Sequence, residues 1–108
     1  HCEKAQQYVA NDPLSLRKIT VRFARQNIEL VRQATQRPDQ IVVPLLLMLA
    51  GQDPITDNQR TRSFAEQTGH DRKRIIEYPA ASHTLEFEDD PSEYFDDLAR
   101  WCSEVAGR

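Results

Sequence analysis

The feature that most narrows what this chain can build is a ten-residue stretch, Ile41 to Ala50, interrupted only by Pro44 and closed by Gly51. Inside it Leu45, Leu46, Leu47, Met48 and Leu49 run without alternation. A strand with one wet face alternates apolar and polar residues; a continuous run belongs to a strand covered on both faces. Pro44 and Gly51 leave too little length for a helix. A membrane-spanning helix needs roughly 20 apolar residues, so no transmembrane segment is expected. The reading is a buried strand over about 44–50.

The other segments fit around that strand. Asn11-Asp12-Pro13 reads as a helix start, with Asp12 as cap and Pro13 in the first turn. Leu14, Ile19, Phe23, Ile28, Val31 and Ala34 follow at mixed spacings. This predicts one long helix over about 13–36, broken at Pro38, apolar on more than one side. A modest helix is expected over about 57–68, capped by Thr56 or Asp57, with Thr61, Phe64, Ala65 and Thr68 on its apolar stripe and Gly69 at its end. Arg74-Ile75-Ile76-Glu77-Tyr78 then reads as a strand over about 73–78, stopped by Pro79. Asp90-Pro91-Ser92-Glu93 opens the last helix, about 91–106, with Tyr94, Phe95, Leu98, Trp101, Cys102 and Val105 on one wide apolar face. Strand, helix, strand, helix with short loops implies an α/β fold with two adjacent parallel strands.

Composition sets limits on function. The 108 residues leave room for one small domain. Net charge is -3, which gives no support to nucleic-acid binding. Cys2 and Cys102 show no CxxC or zinc spacing; one disulfide could join them, but they read better as two unrelated reduced thiols, Cys102 packed on the last helix. No metal or cofactor is expected. The chain opens His1-Cys2-Glu3-Lys4, without Met, a signal peptide or a lipidation motif. The expectations are a cytoplasmic protein and a piece or processed product of something longer.

In a parallel sheet, ligands and reacting groups collect at the carboxyl ends of the strands. The loop after the first strand carries Asp53; the loop after the second carries His83, 30 residues on. One crossover of that length brings the two loops together. A carboxylate beside an imidazole fixes its tautomer and stabilises its protonated form, the orienting half of an acid–base pair.

The segments PLLLMLAGQDPITDNQRTRSF, IIEYPAASHTLEFEDDP and YFDDLARWC resemble the C-terminal part of an α/β-hydrolase, of the lysophospholipase or monoacylglycerol-lipase-like serine hydrolases. YVANDPLSLRKIT resembles the stretch where that family's chain leaves its cap and returns to the main sheet. The resemblance covers about 100 of the 108 residues, and implies a cap-exit segment and long helix over 1–40 and the last two strands and helices of a hydrolase core over 41–108. It implies that Asp53 is the triad acid and His83 the triad base, in the family's order of acid before histidine. It also implies a small acyl or lipid ester as substrate. None of the five Ser lies in a G-x-S-x-G elbow, and no His-Gly oxyanion segment is present. The nucleophile is therefore expected outside these residues. Many family members carry Gly three before the acid; here Ala50 stands there, with Gly51 two before.

The remaining polar residues have plainer readings. Asp57 reads as a helix cap, Ser82 as a spectator, and Glu86, Glu88, Asp89 and Asp90 as a solvated face leading into a helix N-terminus. His70, Arg60 and Arg62 read as surface residues. Two functions follow. One is an ester hydrolase whose acid and histidine lie here. The alternative is a non-catalytic α/β module that binds a partner. With no strand on its far side, strand 44–50 is expected to leave an open edge, and the chain to self-associate through that edge, the first helix, or both.

Overall fold

A computed structural model describes residues 3–107. The apolar run forms β1 (Leu45–Ala50) and the Ile75-Ile76 segment forms β2 (Lys73–Tyr78). They pair in parallel, from Leu45 opposite Lys73 to Ala50 opposite Tyr78. Between them runs α3 (Asn58–Glu66), and after β2 the chain closes with α4 (Ser92–Val105). The side-chain period of two separates the faces of the sheet. Glu77 meets Arg62 of α3 at 2.6 Å, so odd-numbered β2 residues face α3. On the even face, Arg74 reaches Glu104 at 2.8 Å, and Tyr78 packs against Tyr94, both on α4. The result is a helix on each side of a two-stranded sheet, the α/β arrangement expected.

The start of the chain departs from expectation. In place of one helix over 13–36 there are two, α1 (Glu3–Asn11) and α2 (Val21–Ala34), with residues 12–20 non-helical. Asp12 ends the first helix instead of starting one. Its N–H donates to Tyr8 O at 3.0 Å, and its carboxylate accepts the Leu14 N–H at 2.8 Å. A short acidic side chain that binds its own downstream backbone favours a turn over a helix interior. Thr20 is the true cap of α2, accepting the Phe23 N–H at 3.1 Å. No residue of α2 is buried.

Smaller differences follow from local chemistry. Asp57 caps α3 as expected, accepting the Arg60 N–H at 3.0 Å. The helix ends at Glu66, before Gly69, where the Thr68 hydroxyl donates to Ala65 O at 2.8 Å. α4 begins at Ser92, whose N–H donates to Asp90 at 3.1 Å, so Pro91 lies just before the helix. Its buried stripe is narrower than predicted. Trp101 is buried and Tyr94 and Leu98 half-buried, whereas Phe95, Val105 and Cys102 are exposed. Two strands form a floor too narrow to cover the flanks of a helix. Cys102 is thus an exposed free thiol, not a packed one; Cys2 lies outside the described residues.

The core sits at the carboxyl end of the sheet. Ala50, Tyr78, Ala81 and Leu85 form a buried cluster, with Met48, Ile76 and Tyr94 packed against it. Leu45 to Met48, at the other end of β1, are only half-buried. The best-packed part of the molecule is therefore directly beneath the loops that carry Asp53 and His83.

Candidate active site

The acid loop starts where β1 ends, and its first residue is constrained by space. A Cβ on Gly51 would lie 2.6 Å from both the Cα and the O of Pro79, which opens the histidine loop. Only glycine lets the two backbones pass this closely, and the Gly51 N–H donates to Tyr78 O at 2.8 Å. That explains a glycine two residues before Asp53: it serves the approach of the loops. Gln52 then joins them. Its backbone N–H donates to Ala81 O at 2.9 Å, and its Nε2 to Pro79 O at 3.1 Å. Asn58, at the start of α3, closes the acid loop by donating Nδ2 to Ala50 O at 2.8 Å.

Asp53 is fixed from both sides. Its Oδ1 accepts the backbone N–H groups of Ile55 at 2.8 Å and Thr56 at 3.1 Å. Its Oδ2 meets His83 Nδ1 at 2.8 Å. The two residues that the sequence placed on neighbouring strand ends are in direct contact. Burial opposes ionisation of Asp53, but the His83 bond, the backbone donors of Ile55 and Thr56 and the Thr56 side chain outweigh it and hold the carboxyl well below the usual carboxylate range. The ionised carboxylate can only accept, so Nδ1 carries a proton, and in the neutral ring Nε2 is the nitrogen left with a lone pair. Exposure is divided to suit: the Asp53 side chain is 6% exposed and that of His83 is 45% exposed. The acid is inside and the imidazole faces outward.

His83 lies at the edge of an open groove of about 480 Å³ along the even face of the sheet, walled by Leu46, Met48, Leu98 and Trp101. Such a pair can orient an imidazole, take a proton at Nε2 and return it. Among the described residues no group of three or more His, Cys, Asp or Glu side chains is arranged to hold a metal ion. No helix among them is long and apolar enough to cross a membrane.

Three polar residues of the site were not singled out for these roles by sequence. Gln52 and Asn58 act through backbone partners, and Glu88 accepts the Ser82 N–H at 2.6 Å instead of lying on a solvated face. Ser82 itself contributes this N–H. The loop crossing at Gly51 is the one signal that could have pointed to Gln52.

Comparisons with known proteins agree on the fold. The family model Hydrolase_4, serine aminopeptidase S33, matches residues 1–90. No curated protein matches significantly. Among solved structures, the crystal structure of Paleococcus ferrophilus monoacylglycerol lipase is similar at a TM-score of 0.80 and 23% identity. The match covers 92% of this chain and 39% of that one.

Proposed function

We propose a function from one premise: the chain belongs to the serine aminopeptidase S33 family of α/β-hydrolases. It supplies the acid and the histidine of a serine ester hydrolase acting in the cytoplasm on small acyl or lipid esters, in the manner of a lysophospholipase or monoacylglycerol lipase. The observation that carries this reading is the 2.8 Å contact between Asp53 Oδ2 and His83 Nδ1. Asp53 holds the imidazole in the tautomer that leaves Nε2 basic. His83 takes the proton of a serine hydroxyl as that oxygen attacks the ester carbonyl, then gives it to the departing alcohol; a water repeats the cycle on the acyl-enzyme. The serine and the oxyanion donors lie outside these residues, since no Ser here has the glycine neighbours of an elbow.

Ester hydrolysis tests this. The chain alone is expected to give no turnover of a p-nitrophenyl ester, having no nucleophile elbow and no oxyanion site. The product of the full reading frame containing these residues is expected to hydrolyse the ester and to be silenced by a Ser-directed phosphonate. Asp53→Asn should lower its kcat on the order of 10⁴-fold. A frame without G-x-S-x-G, or an active product indifferent to His83→Ala, overturns the reading.

A further inference from the structure

His83 stands on a loop without a strand or longer helix of its own, between buried Ala81 and the 3-10 turn Leu85–Phe87. Its ring is held at Nδ1 by Asp53, but a ring contact cannot by itself fix the backbone that presents it. Upstream, the loop is tied to the acid loop where Gln52 takes the carbonyls of Pro79 and Ala81. Downstream, the tie is Glu88. Its Oε1 accepts the N–H of Ser82, the residue before His83, at 2.6 Å across six positions. The neighbouring acids turn elsewhere: Asp89 pairs with Lys4 at 3.0 Å, and Asp90 accepts the Ser92 N–H. Glu88 and Ser82 are both half-buried.

We infer that Glu88 is a positioning residue for His83: its carboxylate closes the segment 82–88 into a ring of backbone and side chain that aims the imidazole at Asp53. A hydrogen bond to an ionised acceptor is shorter and roughly twice as strong as one between neutral groups. Short loops pay most of their ordering cost in backbone freedom, and this bond removes that freedom next to the residue that must stay in place. The geometric claim stands on the contact itself. Its meaning for catalysis rests on the function proposed above.

The experiment is nuclear magnetic resonance on the ¹⁵N-labelled chain, reading amide exchange at Ser82 and the ring N–H of His83. Glu88→Ala is expected to speed Ser82 exchange by about tenfold or more and to remove the slowly exchanging His83 ring proton. Glu88→Gln keeps an oxygen acceptor in the same place and is expected to restore both signals. Asp53→Asn is expected to change the His83 ring signal while leaving Ser82 protected. A His83 signal in Glu88→Ala identical to wild type overturns the inference. So does loss of that signal with Ser82 exchange unchanged, because Glu88 would then act by another route. If Asp53→Asn leaves the His83 ring unaltered, the acid–histidine reading fails, and Ser82 exchange judges the Glu88 contact separately. Should Glu88→Ala not fold, Glu88→Asp, one methylene shorter, replaces it with the same expectations.

Discussion

The residues from β1 to α4 and the residues before them show what the same chain does with and without a surface to fold against. From Leu45 onward, helices pack on both faces of a sheet, and Leu49, Ala50, Ala65, Tyr78 and Trp101 are buried. Before Pro38, α2 buries nothing, and Leu14, Val21 and Ile28 are 90%, 88% and 71% exposed. α1 reaches the body through Tyr8, whose ring lies 5.6 Å from that of Phe87, and through Lys4 on Asp89. The radius of gyration, 16.2 Å, exceeds the roughly 13 Å of a close-packed domain of this length. Apolar pattern alone thus does not make a core. The difference also shows where the Asp53–His83 contact draws its support: from one crossover and the cluster beneath it, with α1 touching only the far end of the histidine loop at Phe87 and Asp89.

The largest effect should come from deleting buried volume in the body and the same atoms in the arm. Leu49→Ala, at a position 3% exposed, is expected to cost about 2–5 kcal/mol. Leu14→Ala should stay within about 0.5 kcal/mol. Urea unfolding of both variants checks this, and equal losses would erase the contrast. The open regions carry a second expectation. Among the described residues β1 pairs on one side only, with β2. An unpaired edge next to half-buried leucines is a template for a second copy. Light scattering at high micromolar concentration should give a mass above that of one chain; a monomer mass contradicts it.

A third change sharpens the account of the loop crossing. Gly51→Ala places a methyl against Pro79 and should cost about 1–3 kcal/mol while loosening the contact between Asp53 and His83. Unfolding curves and the His83 ring signal report the two effects. The fourth concerns pH. The folded-state pKa of Asp53 is depressed, so its stabilisation is fully present above the ordinary value of 3.8 and is lost as pH falls below it toward the folded value. The stability gap between wild type and Asp53→Asn should be flat above that range and close beneath it. Acid titration of both proteins checks this, and a gap independent of pH would contradict it. The smallest effect belongs to Glu77→Gln. Its ion pair with Arg62 is partly exposed, and removing it should cost under about 1 kcal/mol by urea unfolding.

What was legible in the sequence follows the same division. The uninterrupted leucines between Pro44 and Gly51 pointed to a strand, although Leu45 to Met48 are half-buried and not covered on both faces; Asp57 was one of two caps on offer; and the 30-residue spacing put Asp53 and His83 on adjoining strand ends. Each of these is local or rests on one crossover. Asn11-Asp12-Pro13 was ambiguous, because an acidic residue before proline can close a helix as well as open one. Its downstream leucines, Leu14 and Leu16, had no packing partner to decide between the two. Glu88 was hidden in an acidic run whose members look alike until the loop path turns one of them inward. Gln52 was hidden because its partners are carbonyls, and carbonyls are invisible in residue identity. Cys102 was misplaced because helical periodicity gives a face but not the width of the floor beneath it.

The central claim is that this chain by itself assembles an oriented acid–imidazole pair. The most direct measurement is the ¹H–¹⁵N spectrum of the chain with its histidine rings labelled, recorded for wild type and for Asp53→Asn. The wild-type chain is expected to show a protected, downfield proton on His83 Nδ1, and to lose that protection when Asp53 becomes Asn. A His83 ring that exchanges freely between tautomers in the wild-type chain, unchanged by Asp53→Asn, would contradict it.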